Sequence, residues 1–224
     1  MIKLYLFDIE GTTTDINFVH KVLFPYSYEK MESFILDNQD NEAILKIVDG
    51  VNKTVLEENQ KTLSLSEAIT QLRDWIKQDR KHPSLKEIQG LIWDAGYAKE
   101  EFKGHLYPDV KPFFDRILKE GHKIGIYSSG SVHAQKLIFS HSVEGNLTPM
   151  ISYFFDTKVG GKRETSSYQN ISKLTNLDPS EIHFFSDIPE ELKAGQQIGF
   201  KVTQLLRPGT KSSEFKGIES FDRF

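Results

Sequence analysis

The stretch Ile2-Lys3-Leu4-Tyr5-Leu6-Phe7-Asp8-Ile9-Glu10-Gly11-Thr12-Thr13 (residues 2–13) decides the fold. A short apolar run ends abruptly in an acidic residue and a Gly-Thr turn, which reads as a buried parallel strand followed by a functional loop. Further runs of the same kind lie at 122–127, 182–186 and 200–206. Amphipathic helices are predicted between the last three, over about 131–142, 165–175 and 189–198, and another over about 109–120 precedes the strand at 122. Strands alternating with helices specify an α/β protein with a doubly wound parallel sheet.

Residues 17 to 104 break that alternation, with helical periodicity and no convincing strand. Leu65, Ile69, Leu72 and Ile76 form one apolar stripe, and Leu85, Ile88, Leu91 and Ile92 another. Two capping boxes are predicted, Ser64 with Glu67 and Ser84 with Glu87. The expected organisation is one sheet domain, residues 1–16 with 105–224, interrupted by an all-helical domain over 17–104. The segment after Pro208 reads as loop.

Composition bounds the rest. The chain has 224 residues, 38% of them hydrophobic and 27% charged, and a net charge of −4. This describes a globular protein able to bury about 70% of its unfolded surface. The acidic balance, with no basic stripe carrying interleaved aromatics, argues against nucleic acid as a partner. No apolar run approaches the roughly 20 residues of a membrane span, and no secretory leader is read at the start, so membrane association is not expected and the cytoplasm is. The absence of cysteine excludes disulfides, thiol nucleophiles and Cys-bearing zinc sites. The seven histidines show no metal-ligand spacing and read as surface or packing residues.

Four motifs carry chemistry. In Asp8-Ile9-Glu10-Gly11-Thr12-Thr13, two acids share one turn at a strand end, a costly arrangement unless a cation or a shared proton relieves the repulsion. Tyr127-Ser128-Ser129-Gly130-Ser131 presents hydroxyls and backbone N–H groups before a helix, which suits a phosphate as well as an ordinary cap. Gly160-Gly161-Lys162-Arg163-Glu164 offers two adjacent cations, between which spacing does not choose. In Phe184-Phe185-Ser186-Asp187-Ile188-Pro189-Glu190-Glu191, a second Asp ends a second strand of the same sheet.

The order of these motifs resembles that of the haloacid dehalogenase superfamily of phosphatases, and the helical insertion after the first motif resembles its cap domain. Within that superfamily, DIEGTT at 8–13, FVHKVLFPY at 18–26, IQGLIWDAGY at 88–97, KGHLYPDV at 103–110, YSSGS at 127–131, FFDTKVGGK at 154–162 and LLRPG at 205–209 are similar to the enolase-phosphatase family of methionine salvage. The resemblance implies that Asp8, Asp187 and the Glu10 backbone carbonyl hold one Mg²⁺ per subunit. It also implies that Asp8 attacks phosphorus to form an aspartyl phosphate, with Glu10 as acid and base. Lys162, Ser128 and Ser129 then bind the phosphoryl oxygens, and Glu191 supports the metal from behind. The implied substrate is 2,3-diketo-5-methylthiopentyl 1-phosphate, enolised and then dephosphorylated to an acireductone by a monomer. Two alternatives remain open at this level: a capped phosphatase acting on a sugar phosphate or phosphoglycolate, and a non-catalytic phosphate-binding regulator.

Overall fold

A computed structural model describes residues 1–224. The chain divides into two compact units, Met1–Phe18 with Lys103–Phe224, and Val19–Phe102. No helix is long and apolar enough to cross a membrane.

The first unit is built on a six-stranded sheet in the order β3-β2-β1-β4-β5-β6. Its strands are β1 (Leu4–Phe7), β2 (Lys123–Tyr127), β3 (Tyr153–Phe155), β4 (Ile182–Ser186), β5 (Lys201–Leu205) and β6 (Gly217–Ile218). Every pairing is parallel, and β1 is central, with Phe7 opposite Ile126 on one side and Phe185 on the other. Helices α6 (Val110–Lys119), α7 (Val132–Ser140), α8 (Thr165–Thr175) and α9 (Pro189–Gln197) make the connections.

Alternation along β1 and β4 feeds two cores. Leu4, Leu6, Ile182 and Phe184 pack with Tyr127, Tyr168, Ile171 and Leu192. On the opposite face Phe7 stacks on Phe185 at 5.1 Å between ring centroids, with Phe113 and Phe221 edge-on to both. His183 belongs to this second layer, stacked on Phe185 at 4.5 Å and sharing a hydrogen bond with Thr203 Oγ1. Burial lowers its pKa to about 3, so it is a neutral packing residue.

The second unit packs α2 (Phe24–Asp37), α3 (Glu42–Asn59), α4 (Leu65–Lys77) and α5 (Pro83–Ala98) around a core that includes Met31, Ile35, Ile47, Val51, Leu72, Trp75, Ile88 and Ile92. Both predicted stripes face this core, with Leu65 and Leu91 at its margin.

Three details differ from the sequence reading. The Ser64–Glu67 capping box forms, but the Ser84–Glu87 one does not. Pro83 is the first residue of α5, and His82 caps it by accepting from Ser84 N. Ser84 is thereby drawn inside the helix and buried so close to Gly50 that a Cβ there would collide with its Oγ. Strands β3 and β6, of three and two residues, fell below the reach of a periodicity argument. β6 also gives the segment after Pro208 a pairing, Leu205 opposite Ile218, where loop was expected.

Candidate active site

In a parallel sheet wound outward in both directions, the connections leave a crevice outside the carboxyl ends of the two strands where the winding reverses. Here those strands are β1 and β4, and the residues that follow them are Asp8 and Asp187. The topology itself therefore places the two motif aspartates side by side.

Asp8 is buried, and its Oδ1 accepts from Ile9 N at 2.7 Å and from Lys162 Nζ at 2.5 Å. Lys162 Nζ also contacts Glu191 Oε2 at 2.7 Å, and that oxygen accepts from Ser186 Oγ. Lys162 is buried while Arg163 is exposed, so Lys162 is the one of the two adjacent cations that is packed against the carboxylates. Three hydroxyls fix the lysine loop: Tyr127 donates to Gly160 O, Ser167 to Gly161 O and Tyr168 to Lys162 O. Burial opposes charge on Lys162, but the Asp8 and Glu191 carboxylates outweigh it and hold the ammonium above its ordinary pKa.

Asp187 is positioned through its main chain. Its N–H donates to Thr12 Oγ1 at 3.1 Å, and its carbonyl accepts from Gln204 Nε2 at 3.0 Å. Gly11, at φ +73°, lies so close that a Cβ would strike Asp187 Oδ2. The glycine thus supplies both the left-handed turn and the room for the carboxylate. Asp187 Oδ1 is buried with no hydrogen-bond partner. Burial, then the nearby Asp8 and Glu191 charges, push the Asp187 pKa up to about 7, and burial followed by Asp8 does the same to Glu191.

This donor set fits a divalent cation. Three carboxylates against one ammonium leave two negative charges in excess when all are ionised, and one buried carboxylate oxygen lacks a partner. No group of three or more His, Cys, Asp or Glu side chains is arranged to hold a metal ion by itself, so protein carboxylates alone do not complete a coordination shell here. Magnesium prefers such an open arrangement, being held by one or two carboxylates and completing its shell with water and substrate phosphate.

Of the other predicted residues, Ser128 is buried at the end of β2, donating its N–H to Phe155 O and accepting from Gly130 N at its Oγ. Ser129 follows it, half-buried. Glu10 is half-buried on the turn after Asp8, where the main chain bridges Glu10 and Thr14. The sequence reading placed Glu191 behind the metal, but its direct bond to Lys162 was not anticipated. A buried acid two residues into a helix gives no sequence signal that separates it from an ordinary first-turn glutamate.

Residues 2–199 match the haloacid dehalogenase-like hydrolase family. The chain is 46% identical over 226 residues to "Enolase-phosphatase E1" of Sulfurihydrogenibium sp., covering 99% of this chain and 97% of that one. It is 47% identical over 224 residues to the protein of the same name from Cronobacter sakazakii, covering 99% and 96%. Among solved structures, the UTR4 protein of Saccharomyces cerevisiae superposes with a TM-score of 0.83 at 29% identity, covering 100% of both chains. A parallel sheet with an aspartate at each central strand end, one of them paired with a buried lysine, and full-length identity of this order place the chain in the enolase-phosphatase E1 family of haloacid dehalogenase-like hydrolases.

Proposed function

We propose that the chain converts 2,3-diketo-5-methylthiopentyl 1-phosphate to its acireductone by enolisation and then hydrolysis of the phosphate ester, as a step of methionine salvage. One observation carries this reading: Lys162 bonded to Asp8 and Glu191 beside the partnerless Asp187 Oδ1. Such a group has a fixed cation and an acidic opening for a second one, the two charges that a phosphate ester needs.

Asp8 attacks phosphorus, the bond to the substrate oxygen breaks, and Glu10 protonates the departing oxygen. Water then cleaves the aspartyl phosphate while Glu10 takes its proton. Lys162, with Ser128 and Ser129, stabilises the charge spread over the phosphoryl oxygens. Mg²⁺ held by Asp8, Asp187 and the Glu10 carbonyl supplies neutralisation of the negative charge gathered around the reacting phosphate. Enolisation removes a proton from carbon next to a carbonyl and needs a base. Glu10, one methylene longer than the Asp usual at that position of the superfamily, serves both steps. The helical unit takes the part of the family's cap domain in choosing the substrate.

The test is to incubate the full chain with the diketone phosphate and Mg²⁺ while following enediol absorbance and phosphate release together. Both signals are expected from the wild type, and both are expected to be lost in Glu10→Gln. Wild-type turnover of simple sugar phosphates with none of the diketone would replace this substrate assignment. Full retention of both steps in Glu10→Gln would remove Glu10 from them.

A further inference from the structure

Outside the catalytic group, the sheet unit contains a second buried cation. Arg207 and Asp109 are both buried and meet in a two-pronged pair, Nη1 to Oδ2 and Nη2 to Oδ1, each 2.9 Å. Asp109 stands at the start of α6, where an Asp ordinarily caps the helix, yet its side chain makes no capping bond. It is committed instead to Arg207 and to Phe221 N at 2.7 Å. The guanidinium lies over Tyr107 at 4.1 Å and donates also to Glu219 O at 3.3 Å.

The third nitrogen of Arg207 reaches the loop after β1. Nε donates to Thr12 O at 3.0 Å, and Thr12 Oγ1 is the acceptor for Asp187 N. Thr12 thus joins the loop after β1 to the loop after β4, with Arg207 holding its carbonyl from behind. Two further bonds hold the same loop, Tyr107 N to Thr13 O and Thr14 Oγ1 to His105 O. Gly11, next to Thr12 in the chain, lies directly against the Asp187 carboxylate, so the Thr12 carbonyl that Arg207 holds is one residue from the contact between the two loops.

We propose that Arg207 and Asp109 are positioning residues that set the spacing of the Asp8 and Asp187 carboxylates, and through it the affinity for the divalent cation. This rests on the reading of Asp8 and Asp187 as cation ligands. The guanidinium is required because its planar fork spans a carboxylate and a carbonyl at once, which a lysine ammonium does not reproduce.

The experiment uses the full chain, binding Mg²⁺ alone, followed by titration calorimetry well below each protein's unfolding midpoint. Arg207→Gln, Arg207→Lys and Asp109→Asn are compared with the wild type, using those variants that keep the wild-type helical circular dichroism. The Mg²⁺ dissociation constant is expected to rise about 10- to 100-fold in them, the usual consequence of losing a group that orients a metal ligand. Arg207→Lys is expected to fail to restore it despite keeping the charge. Folded variants with lowered unfolding midpoints but wild-type Mg²⁺ affinity would overturn the proposal and leave the pair a packing feature. A wild-type chain that takes up no Mg²⁺ would overturn the cation reading and this inference with it.

Discussion

The two units of the chain solve burial differently. The helical unit Val19–Phe102 buries side chains that are almost all apolar, its polar exceptions being Ser27, Ser84 and Gln89. The sheet unit contains every buried Asp, Glu, Lys and Arg: Asp8, Asp109, Asp156, Lys162, Glu191 and Arg207. Each of them follows the carboxyl end of a strand or, for Asp109, begins the helix leading to β2. Buried charge is costly unless paired, and here the pairs of Lys162 with Asp8 and Glu191 and of Arg207 with Asp109 offset that cost within one unit. The buried interior of the helical unit, by contrast, is held by apolar packing.

The comparison breaks first at Lys162. Lys162→Met removes the cation between Asp8 and Glu191, and phosphate release is expected to fall about 100- to 1000-fold, the scale of losing one preorganised charge-stabilising donor. Steady-state assay at saturating Mg²⁺ measures it, and a loss of less than tenfold would mean the buried charge serves the fold alone. The helical unit is probed at Trp75, which is 1% exposed, with Arg80 over its ring at 4.5 Å. Trp75→Ala is expected to cost about 3–5 kcal/mol in chemical denaturation through the cavity left behind. A loss below about 1 kcal/mol would show a core that collapses to fill the space.

These differences were only partly visible in the sequence. Local features were legible: four apolar runs, two helical stripes and the acids that end β1 and β4, because each depends on neighbours within a few residues. Spacing alone could not separate Lys162 from Arg163, and Lys162 was singled out only by family resemblance; burial, a tertiary property, is what distinguishes them physically. The Arg207–Asp109 pair was hidden for the same reason: its members stand 98 positions apart, and each alone reads as a surface charge. KGHLYPDV and LLRPG were informative as family strings, but their physical meaning emerges only when the fold brings Asp109 and Arg207 together. Ser84 shows the opposite error, where a local signature was overridden because Pro83 starts the helix two residues early and Gly50 receives the serine.

The central claim is that Asp8 is the nucleophile, and the most direct test is phosphate release from the diketone phosphate by Asp8→Asn at saturating Mg²⁺. A loss of about 10,000-fold or more is predicted, the scale of removing a nucleophile that acts together with its partners. Release at the wild-type rate would contradict the account.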